Sequence, residues 1–188
     1  MKTVTHIVLT TLAAVTTLGA LHAWQEGGGW QPSRPGPAHA VLADLEGQFD
    51  AKFTLLAPGA PKMESQGTSK NDRALGGLWV RCDYHDPSYM GTEFRGMSLI
   101  GYDADKKKYV GVWVDSSTSA LQISEGTWDE KTKTLTMLSE GKDPYSKQPT
   151  QDKTITKIVD KDHHVVTLRS KSAGHPEADI FRIEYTRK

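Results

Sequence analysis

From Gly47 onward the apolar positions recur with period two, the spacing of strands buried on one face. Gly47 to Ala57 puts Phe49, Ala51, Phe53 and Leu55 on one side. Leu78 to His85 sets Leu78, Val80, Cys82 and Tyr84 against Trp79, Arg81, Asp83 and His85. Between Gly101 and Leu138, stretches rich in Val, Thr, Trp and Tyr are broken by evenly spaced turn residues at Asp103, Ser116 and Asp129, the pattern of a β-meander. Met63 to Leu75, Thr92 to Gly101, Thr150 to Val159, Val165 to Ser170 and Ala178 to Arg187 complete a set of about ten strands. Turns are predicted at Gly76-Gly77, Asp86-Pro87-Ser88, 141–144, 161–163 and 173–176. No long amphipathic helix follows Leu45 and no βαβ alternation occurs, which disfavours a parallel sheet. The pattern predicts an all-β, ten-stranded antiparallel up-and-down barrel. A two-sheet sandwich is the alternative, but its Greek keys need long crossings that this neighbour-to-neighbour order lacks.

The chain ahead of the strands divides in three. Residues 1–23 carry Lys2 and then an apolar or small run, Ile7 to Leu21, with Ala23 at a cleavage position, which reads as a secretory signal peptide. The run is about fifteen residues, short of the ~20 a membrane span needs. Export to the periplasm or outside the cell follows, without membrane insertion once the signal is cut. No Cys near Ala23 would take a lipid anchor. Residues 24–38 (WQEGGGWQPSRPGPA) read as a flexible Gly/Pro linker, in which Trp24 and Trp30 are unusual. In the domain proper, 39–188, His39 to Leu45 places Val41, Leu42 and Leu45 at helical spacing, a short N-terminal helix able to plug one barrel end.

Composition narrows the function. Lys plus Arg and Asp plus Glu both number 23 in 188 residues, so no basic excess draws the chain to nucleic acid or anionic lipid. Cys82 is the only cysteine, which rules out an internal disulfide, and its strand position beside Asp83 reads as a small hydrophobe. No nucleophile elbow, phosphate loop or dinucleotide fingerprint occurs, so no catalytic residue and no cofactor is assigned. His85 and Asp83 share a face, and His163 and His164 point to opposite faces; two ligands fall short of the three or four that zinc requires, so no metal is assigned either.

The aromatics Trp79, Tyr84, Phe94, Tyr102, Tyr109, Trp113 and Trp128 fall on or beside strands, where they serve either packing or a pocket wall. Trp113 and Asp115 share one face of a strand whose other face is Val110, Val112 and Val114. Valines facing out put Trp113 and Asp115 in the lumen, with Arg81, Arg95 or Arg182 as partner for the acid; valines facing in put Trp113 on the surface. The candidate ligand-binding set is Trp79, Arg95, Trp113, Asp115 and Glu125. A hydrolase pair of Asp115 and Glu125 is the enzymatic alternative.

The runs Leu75-Gly76-Gly77-Leu78-Trp79, Met90-Gly91-Thr92-Glu93-Phe94-Arg95-Gly96, Gly101-Tyr102-Asp103, Tyr109, Trp113-Val114-Asp115, Glu125-Gly126, Asp143-Pro144 and Tyr185-Thr186-Arg187-Lys188 resemble the bacterial domain-of-unknown-function family number 1579. The resemblance runs from His39 to Lys188 and implies a lipocalin-like (calycin) barrel. Such barrels carry Gly-x-Trp on the first strand with a late Arg packed across the Trp. The counterparts are Gly47 and Phe49, with Arg182 or Arg187 as the arginine; Phe keeps the ring and loses the indole donor. Three functions stay open: binding of a small, partly apolar molecule; a filled barrel acting as a structural or interaction domain; and an enzyme using lumen polar groups.

Overall fold

The structure, a computed structural model, describes residues 31–143 and 146–188. The leader and most of the linker, with Trp24 and Trp30, lie outside the described residues. Residues 31–36 are exposed and form no regular element.

A 3-10 turn, Pro37–His39, leads into α1 (Ala40–Asp44). Ten strands follow: β1 (Gly47–Leu55), β2 (Glu64–Ala74), β3 (Trp79–Tyr89), β4 (Thr92–Asp103), β5 (Lys108–Asp115), β6 (Gln122–Asp129), β7 (Thr134–Lys142), β8 (Pro149–Ile158), β9 (His163–Ser172) and β10 (Ala178–Arg187). Each pairs antiparallel with its neighbours in sequence, and β1 pairs with β10, so the sheet is a closed barrel. Closure removes the unpaired strand edges that would otherwise invite association.

Burial follows the alternation. Phe49, Ala51 and Phe53 of β1 point inward and are buried, as are Val80 and Tyr84 of β3 and Leu135 and Met137 of β7. Strand β2 departs from the rule, because its inward residues Ser65, Ser69 and Asn71 are polar and buried. Each is bonded: Ser65 Oγ donates to Asp86, Ser69 Oγ donates to Asn71 Oδ1 at 2.6 Å, and Asn71 Nδ2 donates to the Leu45 carbonyl at 2.8 Å. Buried polar groups persist when partnered in this way.

The interior has two ends. At one, Leu42 of α1 is 1% exposed and packs with Val80, Tyr109, Leu135 and Met137. Asn71 and Arg187 hold this plug by donating to the carbonyls of Asp44, Leu45 and Glu46, which a helix end leaves unpaired. The Tyr109 hydroxyl adds a bond to the Ala38 carbonyl at 2.7 Å. At the other end Ala51, Phe53, Tyr84 and Ile183 gather Tyr89, Phe94, Trp113 and Phe181, which stay half-buried.

Several element boundaries differ from the sequence reading, two of them at the interior. Asp86-Pro87-Ser88 is not a turn: β3 continues to Tyr89, and the chain reverses at Met90 and Gly91, whose φ values are 47° and 85°. The register shifts between Asp86 and Tyr89, and a bulge is where a strand tolerates a proline. Strand β9 starts at His163 rather than Val165, with His163 exposed and His164 buried.

Candidate functional site

The inward alternation leaves a cavity of about 360 Å³ along the barrel axis, running from Leu45 at the plugged end to Tyr89, Ser117 and Gln122 at the other. An aromatic wall forms one side. Phe94 and Trp113 stack at 6.4 Å and 19°, Tyr89 and Phe94 lie 4.6 Å apart, and Phe53 meets Tyr89 at 4.8 Å and Phe181 at 5.5 Å. Small polar residues form the opposite side: Gln122, Ser124, Ser139, Thr154 and Thr156. A mostly apolar hollow with a few placed polar groups is the usual form of a small-molecule site.

Trp113 and Asp115 face this lumen, and the strand's valines face out. Trp113 lies across β4 where Gly96 has no side chain; a Cβ there would meet the indole Cη2 at 2.2 Å. Indole Nε1 donates to Asp115 Oδ2 at 2.8 Å. The Ser117 amide and hydroxyl donate to Asp115 Oδ1 at 2.8 and 2.6 Å. These bonds replace the arginine partner expected from sequence, because Arg81, Arg95 and Arg182 all point outward. Arg81 pairs with Asp83, Arg95 with Glu93, and Arg182 is exposed between inward Phe181 and Ile183.

Three members of the candidate set therefore stand away from the cavity. Arg95 lies on the outer face of β4, and Glu93 beside it also takes His85 Nε2 at 3.0 Å, while Asp83 on the same outer face as His85 pairs with Arg81. Glu125 sits on the outer face of β6 between Lys106 and Lys108, whose hydrogen bonds, aided by their charges, hold its carboxyl below the usual range. Asp115 and Glu125 are on opposite sides of the wall and cannot act as a hydrolytic pair. Trp79 covers Gly101 on the outer face of the β3–β4 ladder. Among the described residues no three His, Cys, Asp or Glu come together in a way that could hold a metal ion.

The closure residue is Arg187, not Arg182. Its guanidinium carbon lies 4.7 Å from the Phe49 ring centroid, and Phe49 pairs with Arg187 across the β1–β10 seam. Gly47 makes room, with φ 138° and an approach by Arg187 that any side chain would block.

Sequence reasoning missed Tyr89, Phe181 and Tyr185 as interior rings and did not assign His164. His164 is 5% exposed, stacked on Tyr185 at 4.4 Å and 12°, and T-shaped to Phe49 with ring centroids 4.7 Å apart. Burial, reinforced by the Arg187 charge, pushes its pKa down to about 4. The ring is neutral at physiological pH and makes no hydrogen bond to another described residue. Cys82 also faces the cavity; burial pushes its thiol up to about 11, against a hydrogen bond with Ser98 that pulls it down.

The fold recurs in the crystal structure of Rv2717c from M. tuberculosis, 14% identical, with a TM-score of 0.59 over 81% of this chain and 98% of that one. No curated protein matches the sequence. The match that covers the barrel is to a family model described as "Protein of unknown function (DUF1579)", over residues 34–187, and the chain belongs to that family.

Proposed function

We propose that this is an exported protein whose barrel binds a small, partly apolar molecule. The observation that carries the reading is the hollow of about 360 Å³ between the aromatic wall and the serine- and threonine-rich wall. A barrel serving only as a scaffold fills its axis with meeting side chains, as happens here only near Leu42. The placement of Arg187 over Phe49 beside Gly47, behind a short plugging helix, supports membership of the lipocalin-like (calycin) superfamily. The apolar run after Lys2 supports export.

Native mass spectrometry of the protein purified from its own host, followed by solvent extraction, tests the binding reading. A bound small molecule released on denaturation is the expected result. A clean apo mass, with no thermal shift across a library of apolar and amphipathic compounds, overturns it. Cell fractionation with N-terminal sequencing tests export, and a cytosolic protein retaining Met1 or Lys2 overturns that part.

A further inference from the structure

The lumen carries acid without base. Three aspartates stand on inward strand faces in the half of the barrel away from the helix, Asp86 on β3, Asp115 on β5 and Asp152 on β8, and of these Asp115 lines the cavity. Asp86 is 0% exposed and accepts from Ser65 Oγ, from Tyr84 Oη at 3.3 Å and from the Ser88 amide at 2.9 Å. Asp152 accepts from Ser170 Oγ at 2.5 Å, Thr150 Oγ1 at 3.2 Å and Gln122 Nε2 at 3.3 Å. Among the described residues every donor to the three acids is a neutral group, and no Lys or Arg lines the cavity. A carboxylate ligand entering this lumen meets the Asp115 carboxyl group and finds no Lys or Arg among the described residues to receive it, whereas a cation is drawn in.

Two independent observations point to a bound molecule. The first is the aromatic wall beside Asp115. The Trp113 N–H is committed to that carboxylate, and the indole lines the hollow together with the rings of Phe94 and Tyr89. Electron-rich ring faces next to a carboxylate are the surroundings an organic ammonium prefers. The second is His164, a polar side chain 5% exposed that lines the deep part of the same cavity and has no hydrogen-bond partner among the described residues. A buried imidazole left unpaired calls for a polar atom from elsewhere.

We propose that the cavity takes an organic cation: a protonated or quaternary amine held at Trp113 and Asp115, with an apolar body reaching inward and a hydrogen-bonding group near His164. This rests on the reading of the barrel as a binding protein. It excludes fatty-acid-like anions as the preferred occupants.

The test uses three probes of matched chain length, octyltrimethylammonium, octanol and octanoate, to displace the uncharged dye N-phenyl-1-naphthylamine from the folded protein. The ammonium is expected to displace at concentrations about tenfold below octanol, with octanoate weakest. In Asp115→Asn that preference is expected to shrink to about twofold. Octanoate displacing as well as the ammonium overturns the charge assignment and leaves the binding reading intact. So does a preference for the ammonium that Asp115→Asn leaves unchanged. Failure of the folded wild-type protein to bind dye or any of the three probes overturns both. The wild-type order of the probes decides the matter even where Asp115→Asn does not fold.

Discussion

Arg187 lies over the ring of Phe49, 4.7 Å from its centroid, and donates to the carbonyls of Glu46 and Lys161 at 2.5 and 3.0 Å. One side chain thereby joins the first strand, the last strand, the end of α1 and the β8–β9 turn. A lysine keeps the charge and loses the planar fork that reaches several acceptors at once. Arg187→Lys should cost about 1–2 kcal/mol in urea unfolding, with the slope unchanged. A midpoint equal to wild type would show that the contact closes nothing.

The Gly96–Trp113 approach predicts a clash. A methyl at position 96 would sit 2.2 Å from the indole, so Gly96→Ala must push the ring out of place. The expected loss is about 1–3 kcal/mol, with a shift in tryptophan emission. The same substitution in a Trp113→Ala background should cost much less, and equal costs in both backgrounds would place the conflict elsewhere.

Cys82 should be inert while the barrel is folded. With the thiol pushed up to about 11, its thiolate fraction near pH 8 is roughly a hundredfold below that of an ordinary cysteine. Iodoacetamide labelling should proceed at the rate of global unfolding or slower. Rapid modification in the native state would contradict the burial.

His164 makes stability depend on pH. Its folded pKa of about 4 lies below the ordinary 6.5, so as the pH falls the unfolded chain takes up a proton that the folded barrel refuses. The contribution is whole above pH 6.5, declines between about 6.5 and 4, and is level below. Wild type should lose roughly 3 kcal/mol more than His164→Phe between pH 7 and pH 4, read from denaturant midpoints. Parallel profiles for the two proteins would show an imidazole that protonates freely in the fold.

Much of the barrel is legible in the chain because tight turns punctuate it and Phe49, Ala51 and Phe53 alternate cleanly with polar neighbours. The inner face is harder to read where small or polar residues line the hollow and apolar ones face out. On β4, Gly96 and Ser98 point inward while Met97 and Leu99 point outward, and Ile123 and Leu138 are exposed on β6 and β7. Arg95 and Glu125 sit on such strands, where hydrophobicity cannot tell inside from outside. That Trp113 and Asp115 share a face is legible in the alternation, but not which way that face points, since a purely valine face suits a core as well as an outer wall. His164 is not legible, since a single histidine among valines gives no sign of which face is buried until Phe49 and Tyr185 are brought against it by the seam.

That seam also dictates how the chain can be made. The β1 strand waits, one flank unpaired, until the ribosome has delivered more than a hundred further residues, because its partner is β10 and the Lys188 amide still bonds to the Gln48 carbonyl. A nascent chain cut short before Ala178 would be a curled ribbon with two raw borders, prone to find them in a neighbouring copy. The aggregation hazard is therefore greatest wherever the chain stands folded up to β9 with β10 not yet docked on β1.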